Sequence, residues 1–196
     1  MNDKPLSPLQ LDAWFKQDTP WDAGFISVMR AIAAKKSDMP PVGRAALPGQ
    51  EFFRIGQCAN MAFAPREISA ISMEEGKASI ELFSLGIWGP QGAMPLHYSE
   101  LAYSRSEAHD HTLTDFLNIF HHRALSQLYR AWFLSQDTAS LDRKYDERFS
   151  FYLGSLIGID AQELVDSHLP PHARLASSSH LIRESRNPEG IIGALH

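Results

Sequence analysis

The chain has 196 residues, of which 44% are hydrophobic and 21% charged, the composition of an ordinary globular protein with enough length for a hydrophobic core. Its 18 basic and 23 acidic residues give a net charge of −5, and no basic stripe is present, which argues against a general nucleic-acid-binding protein. The single cysteine excludes an internal disulfide, and no apolar run approaches the roughly 20 residues that cross a bilayer. We therefore expect a cytoplasmic protein without direct membrane insertion.

The first segment, residues 1–37, is predicted to hold two helices. Apolar residues recur at helical spacing from Leu6 to Phe15, which is typical of a short amphipathic helix. Asp22 is placed to cap a second helix, which is expected to end near Lys36. Residues 37–50 contain three prolines and two glycines, and this long irregular connection indicates a loop that binds or wraps a partner.

The second segment, residues 38–97, is predicted to be a loop and β-hairpin region. A short strand is expected at Glu51–Gly56. Two apolar stretches, Ile68–Met73 and Ser79–Trp88, flank a turn at Glu74–Lys77 and are typical of an antiparallel hairpin. Because the second arm has no clearly polar side, both of its faces are expected to be covered.

A stretch rich in glycine and proline follows the hairpin. Residues 86–97 hold three glycines together with Pro90 and Pro95, which predicts a loop with rigid and positive-φ positions. No Lys-Ser or Lys-Thr follows these glycines, and the prolines remove amide donors that a phosphate group would need. The loop is therefore not expected to bind phosphate.

The third segment, residues 98–196, is predicted to be helical. Its last helix begins at Pro188 and stops after two turns, which is too short to be stable alone, so we expect the chain to be truncated at this end. The whole chain is predicted to be α+β and helix-dominated, with a small antiparallel β-hairpin region near residues 51–88. The helices of the third segment are expected at residues 98–107, 112–133, 141–157 (ended by Gly158), 173–183 and 188–196.

The stretch from Asp115 to Trp132 is the most informative part of the sequence. Its periodicity predicts a helix, but charged and polar residues interrupt the apolar pattern. Either a large core holds buried polar groups with partners, or part of this helix faces another protein. The apolar residues at helical spacing are expected to form one broad face: Phe116, Leu117, Phe120, Ala124, Leu128, Ala131 and Trp132.

Basic and aromatic residues of the same helix suggest an interface. Arg123 and Arg130 are two turns apart and lie on nearly one face, flanked by Tyr129 and Trp132. Arg, Tyr and Trp are the residues that most often anchor protein interfaces. The alternative, which stays open at this point, is that the arginines pair within the chain with carboxylates such as Asp115, Asp142 or Glu100.

Nine histidines raise the question of a metal site. The densest pairs are His109 with His111 and His121 with His122, but two adjacent helical residues point about 100° apart and do not face one ion easily. The sequence contains no HExxH, CxxC or GxSxG motif. We therefore predict no catalytic, cofactor-binding or metal-binding residues and no enzyme. The alternative is a His-dependent cytosolic metalloenzyme or hydrolase that uses His97, His121 or His122.

Four blocks of sequence occur in a characteristic order. They lie within Phe53–Ile68, Phe83–Glu100, Asp115–Trp132 and Arg186–Ile191, and they read in part FRI and MAFAPREI, FSLGIWGPQGAMPLHYSE, DFLNIFHHR and LYRAW, and RNPEGI. Together they resemble the TssG family, also called ImpH or VasB, a baseplate subunit of the bacterial type VI secretion system. The resemblance extends over about residues 25 to 192.

The resemblance implies a structural role without catalysis or a cofactor. TssG-like proteins join a pair of TssF subunits in a baseplate wedge, to which TssK and TssE attach. Wedges assemble around the VgrG hub at the cytoplasmic face of the inner membrane. The expected partners of this chain are therefore TssF, TssK and TssE, with VgrG contacted indirectly. The residues expected to form an interface or a structural network are Trp88, Pro90, Pro95, Tyr98, His122, Arg123, Tyr129, Arg130 and Trp132.

Overall fold

A computed structural model describes residues 23–36, 38–74, 76–143, 147–159, 168, 170–183 and 187–195. The helix predicted at residues 6–15 and the proposed cap Asp22 lie outside these ranges. The chain divides into two compact units, Met1–Leu134 and Ser135–His196, and each is described by itself. The three-segment division made from the sequence stays a prediction. No helix among the described residues is long and apolar enough to cross a membrane.

The first helix of the described structure, α1, spans Phe25–Lys35. It ends where the sequence predicts. Its first turn is stabilised by a residue far along the chain, because the Phe25 N–H donates to Glu67 Oε2 at 2.8 Å. Gly24 occupies the N-cap position and supplies no side-chain acceptor. One face of α1 is fully buried, including Val28 and Met29, so this helix forms one wall of the core.

A mixed three-stranded sheet lies in the first unit. Its strands are β1 (Phe53–Gln57), β2 (Ile68–Glu74) and β3 (Lys77–Leu82), in the order β1-β3-β2. The predicted hairpin is confirmed, because β2 and β3 pair antiparallel with Ile71 opposite Ile80. The α+β class is confirmed as well.

The strand β1 corrects one part of the sequence prediction. It pairs with β3 in parallel, with Ile55 beside Ile80, so the sheet is not antiparallel throughout. The reason is topological, because β3 lies between β1 and β2. The chain turns back from β2 into β3, so β3 runs opposite to β2 and in the same direction as β1. The second hairpin arm also ends at Leu82 instead of Trp88, and Leu85 already has a left-handed φ of 62°.

The main core lies where α1, the sheet and a long helix meet. Most of its side chains come from the strands and α1, and a few come from the long helix and adjoining loops. The larger members include Phe25, Met29, Phe52, Phe53, Ile55, Ile68, Ile80, Leu82, Leu125 and Tyr129. Burial of each such side chain stabilises the fold by about 1.5–3 kcal/mol, so this cluster is the principal source of stability in the first unit.

Two helices complete the first unit. The helix α2 spans Leu96–Glu107, and the long helix α3 spans Thr112–Ser135, 24 residues in all. At the start of α3, Asp110 Oδ1 accepts both the N–H and the hydroxyl of Thr112, at 3.1 and 2.7 Å. These hydrogen bonds hold the pKa of the Asp110 carboxyl below its usual value.

The second unit consists of short helical pieces. They are a 3-10 turn at Ala139–Asp142, α4 (Phe149–Leu156), α5 (Pro171–Ala176), α6 (Ser178–Leu181) and α7 (Pro188–Leu195). The single helix predicted at 141–157 is thus a 3-10 turn followed later by α4, and the one predicted at 173–183 is divided at Ser177. Gly158, with φ 71°, follows α4 as expected.

Candidate interaction surface

The helix α3 has one buried and one exposed face. The buried face carries Thr114, His121, Leu125, Ser126 and Tyr129. This arrangement corrects the predicted apolar face, of which only Leu117 and Trp132 pack against the core clusters. The exposed remainder, called here the α3 stripe, consists of Phe116 (57% exposed), Ile119 (65%), Phe120 (60%), Ala124, Leu128 (45%), Ala131 and Leu134 (65%).

The face with polar residues is buried because it finds hydrogen-bond partners on the sheet. At the outer edge of β1, the N–H groups of Ile55 and Gln57 do not bond to another strand. His122 Nδ1 accepts the first at 3.1 Å, and Asn118 Oδ1 accepts the second at 3.0 Å. The helix thereby satisfies an edge that would otherwise present unpaired donors.

His122 links this edge to a carboxylate. Its Nδ1 accepts the Ile55 N–H, so the ring proton lies on Nε2, which donates to Glu51 Oε2 at 2.5 Å. The ring also packs against Phe53, with the two centroids 5.3 Å apart. Both members of the His122–Glu51 pair are mostly buried, at 20% and 11% side-chain exposure. The ring is therefore held from both nitrogens and has no free lone pair for a metal ion.

A second polar network fixes the loop of residues 83–95. Gln57 lies beneath it, with Oε1 accepting the Trp88 N–H at 2.9 Å and Nε2 donating to the carbonyls of Trp88 and Phe83 at 3.1 and 3.2 Å. The Gly89 N–H donates to Ser99 Oγ at 3.3 Å. A Cβ at Gly86 would overlap the Gln57 amide, so a larger residue at this position would push the amide away from its hydrogen-bond partners.

His121 joins the loop to α3. Its Nε2 accepts the Ile87 N–H at 3.3 Å, so the ring proton lies on Nδ1 and is donated to Asn118 Oδ1 at 3.2 Å. Burial lowers the pKa of His121, because the charged imidazolium loses its hydration there. The neutral ring is the form that both hydrogen bonds need.

The structure separates the residues proposed from the sequence. Trp88 is buried with Ala59 and Ala102 in a second core cluster, and its indole N–H has no acceptor among the described residues. Tyr98 is exposed on α2, with its ring beside that of His97. Pro90 and Pro95 are exposed at the loop surface. Pro90, Pro95 and Tyr98 therefore lie at the surface, whereas Trp88 packs beneath the 83–95 loop near Leu113 and Leu117 of the long helix.

The residues proposed on α3 itself fall on three sides. Tyr129 is buried and its ring contacts Trp132, with centroids 5.7 Å apart. Arg130 Nη1 donates to the Gly43 carbonyl at 3.5 Å, where Gln127 Nε2 also donates at 3.0 Å. Arg123 is exposed and makes no hydrogen bond or ion pair with the described residues. Among the described residues of the first unit, neither Asp115 nor Glu100 pairs with either arginine.

Three network residues were missed by the sequence analysis. Gln57, Asn118 and His121 carry most of the buried hydrogen bonds between α3, β1 and the 83–95 loop. Gln57 sits in a strand and bonds to residues 26 and 31 positions away, so no local spacing marks it. The available indication for Asn118 and His121 was their helical spacing from Thr114, because three polar residues recur on one side of the helix.

Two kinds of chemical site, a metal cluster and an activated thiol, are not found among the described residues. Among them, no group of three or more His, Cys, Asp or Glu side chains is placed to share a metal ion. Cys58 is half-buried, and burial together with the charge of Glu81 raises the pKa of its thiol, which disfavours the reactive thiolate. The exposed apolar surface is therefore the feature that requires a function.

The second unit exposes apolar side chains of its own. Among its described residues, only Ala139, Arg143, Gly154 and Leu175 are buried. Many of its larger apolar side chains are exposed, namely Leu141, Phe151, Tyr152, Leu156, Leu181, Ile182, Ile191 and Ile192. Apolar side chains exposed in this number are typical of a protein-interaction surface.

Comparison with known proteins was made on the whole sequence. A family model described as "Type VI secretion, TssG" matches residues 19–196. This span includes the four sequence blocks quoted above and every described element from α1 onward. No match is found among curated proteins or among solved structures.

Proposed function

Because this chain belongs to the TssG family, a structural component of the type VI secretion baseplate, we propose that it bridges two copies of TssF in the baseplate wedge. In this proposal it also helps to attach TssK and TssE, and it reaches the VgrG hub only through other subunits. The wedge assembles at the cytoplasmic face of the inner membrane. The observation that carries the proposal is the exposed α3 stripe.

The stripe is unusual for a protein that works alone. Four of its side chains, two Phe, one Ile and one Leu, are 57% exposed or more, and they follow one another along a single helix. Contiguous apolar patches above a few hundred Å² on a soluble protein mark interaction sites. Obligate interfaces bury roughly 2,000 Å² or more and resemble a divided core, and the exposed apolar side chains of the stripe suit such an interface.

The hydrogen bonds beneath the stripe suit a rigid structural part. His122 and Asn118 fix α3 to the edge of β1, and His121 fixes the 83–95 loop to α3. Since these contacts are made inside the first unit, the stripe is presented on a helix that cannot slide or rotate without breaking buried hydrogen bonds. Such a helix transmits force between subunits during sheath contraction in this proposal.

Co-expression tests the proposal directly. The chain is produced with tagged TssF, with and without TssK and TssE, and the mass of the purified complex is measured. We expect co-purification with two TssF copies for each copy of this chain. A monodisperse monomer that ignores TssF under these conditions would contradict the proposal.

A matched pair of variants locates the surface. Phe116→Ser with Phe120→Ser removes two rings from the stripe, and Phe63→Ser removes one exposed ring outside it. We expect the double variant to lose TssF and the Phe63 variant to keep it. Circular dichroism of each purified variant shows that the fold is retained.

A further inference from the structure

The α3 stripe encloses one cation. Arg123 is exposed between Phe120 and Leu128, one turn from Ile119, and it forms no hydrogen bond or ion pair with the described residues. Any surface that covers the apolar side chains also removes water from this guanidinium. Burying an unpaired charge costs several kcal/mol, so the covering surface must bring an anion to this place.

The shape of the stripe indicates a helix as the occupant. From Phe116 to Leu134 it extends 18 residues along α3, about 27 Å at 1.5 Å per residue. The small side chains Ala124 and Ala131 alternate with larger ones, which lets a second helix approach closely with its side chains between them. A strand is a poorer fit, because the N–H groups of the nearby β1 edge are already bonded to His122 and Asn118.

Resting on the proposed function, we propose that the α3 stripe receives an amphipathic helix of a partner subunit, and that this helix presents an Asp or Glu carboxylate to Arg123. The carboxylate accepts hydrogen bonds from the guanidinium at the centre of the interface, and apolar side chains of the partner cover Phe116, Phe120 and Leu128. The charged pair sets the register of the two helices, and the apolar contacts supply most of the affinity.

A second copy of this chain is a poor occupant. Residues 116–134 contain no Asp or Glu, so self-pairing along the stripe leaves Arg123 without an anion on either copy. A membrane surface is also a poor occupant, because interfacial helices carry a polar face rich in Lys and Arg. The only Lys or Arg residues within 116–134 are Arg123 and Arg130, and Arg130 is bonded to Gly43.

The first experiment identifies the occupant. A photo-crosslinking phenylalanine analogue is placed at Phe120, and separately at Phe63 as a control, in the chain co-expressed with TssF, TssK and TssE. We expect the Phe120 crosslink to join a peptide of another subunit that has apolar residues at helical spacing and at least one Asp or Glu. Crosslinks from Phe120 to this chain, to a second copy or to lipid would overturn the proposal.

The second experiment tests the charge. Arg123→Glu is compared with Arg54→Glu, an exposed arginine on β1, by titrating each purified chain with the partner that the crosslink identifies. We expect Arg123→Glu to weaken binding by about thirtyfold or more, and Arg54→Glu to leave it unchanged. Changing the crosslinked partner carboxylate to Lys should restore binding to the Arg123→Glu chain.

The outcomes separate this inference from the proposed function. If TssF still co-purifies but Arg123→Glu binds as the wild type does, the carboxylate pairing is wrong and the baseplate role stands. If no complex forms with any of the three subunits, the proposed function fails and this inference fails with it.

Discussion

The side-chain oxygen of Asn118 accepts two hydrogen bonds, one from β1 and one from its own helix. Its Oδ1 accepts the Gln57 N–H from β1 and the Nδ1–H of His121 from α3. An amide oxygen has two lone pairs, so both donors are satisfied by the same atom. Removing it leaves two buried donors without acceptors at once, which costs more than the loss of a single surface hydrogen bond.

The substitution Asn118→Ala should therefore lower the free energy of unfolding by about 2–3 kcal/mol. Urea denaturation followed by circular dichroism measures it. Gln91→Ala, in the exposed part of the 83–95 loop, is the matched polar-to-Ala control and should change stability by less than about 0.5 kcal/mol. Equal effects for the two variants would show that the two hydrogen bonds accepted by Asn118 do not stabilise the fold.

The free energy of unfolding should decrease on mild acidification, in part because His121 has a lowered pKa in the folded chain. Burial depresses its pKa in the folded chain, whereas the unfolded chain takes up a proton near the ordinary imidazole value of about 6.5. Between the ordinary and the depressed pKa the unfolded state binds more protons, so stability decreases as the pH falls through that window and is full above it. His121→Gln removes this contribution.

The measurement is the difference in unfolding free energy between about pH 7.5 and about pH 5.5. We expect a smaller difference for His121→Gln than for the wild type. His97→Gln, which changes an exposed histidine outside the network, should retain the wild-type difference. A His121→Gln profile that parallels the wild type would disprove the assignment.

Sequence reasoning named His122 as an interface or structural-network residue, and the structure places that ring between the Ile55 N–H and Glu51. It did not find Gln57, whose partners lie far along the chain. Hydrogen bonds between distant residues leave no periodic trace, so they become visible only when the fold has placed the elements together.

At the scale of elements, α3 was predicted within two residues of its observed end, but its orientation was not. The sequence contains an apolar set at helical spacing, which ordinarily faces the core. Here the polar face is buried, because β1 and the 83–95 loop offer N–H groups that His121, His122 and Asn118 accept. Periodicity detects a helix, and the hydrogen-bonding needs of its neighbours decide which side faces inward.

Two truncations on α3 should separate core from surface. Leu125→Ala removes a buried side chain and should destabilise the chain by about 2–5 kcal/mol. Phe120→Ala, on the opposite side, should change the stability of the isolated chain by less than about 0.5 kcal/mol but weaken its complex with partners. Thermal unfolding and co-purification measure the two effects. A large loss of stability in Phe120→Ala would mean that the stripe is covered within the chain.

The sheet was also predicted only in part from the sequence. The hairpin of β2 and β3 was predicted because its two arms and turn are contiguous in sequence. The parallel pairing of β1 with β3 joins residues 25 positions apart, as between Phe53 and Ala78, and no turn motif announces it. A strand was predicted at Glu51–Gly56, but its parallel pairing with β3 is specified only by the assembled core.

At the scale of the whole molecule, the two units differ in how much they bury. The first has a core of aromatic and aliphatic side chains around the sheet, whereas the second buries few of its described residues. Regions with few buried apolar contacts open at low free energy. The second unit should therefore depend on partners for its stability, and the first should not.

Hydrogen exchange should reveal this difference. In the isolated chain we expect amides of β1, β3 and α3 to exchange slowly, and those of α4 to α7 to exchange quickly. In the complex with TssF, TssK and TssE, the amides of α4 to α7 should become protected. Slow exchange throughout the second unit of the isolated chain would contradict this expectation.

The edge of β1 that α3 covers affects aggregation of the protein as well as its folding. Two side chains of α3 occupy the positions that a fourth strand would use, at Ile55 and Gln57. If heating or a substitution detaches α3, those donors become a template for another chain, and aggregation by strand pairing competes with refolding. The solubility of the protein when produced without partners is therefore set by how firmly one helix stays in place.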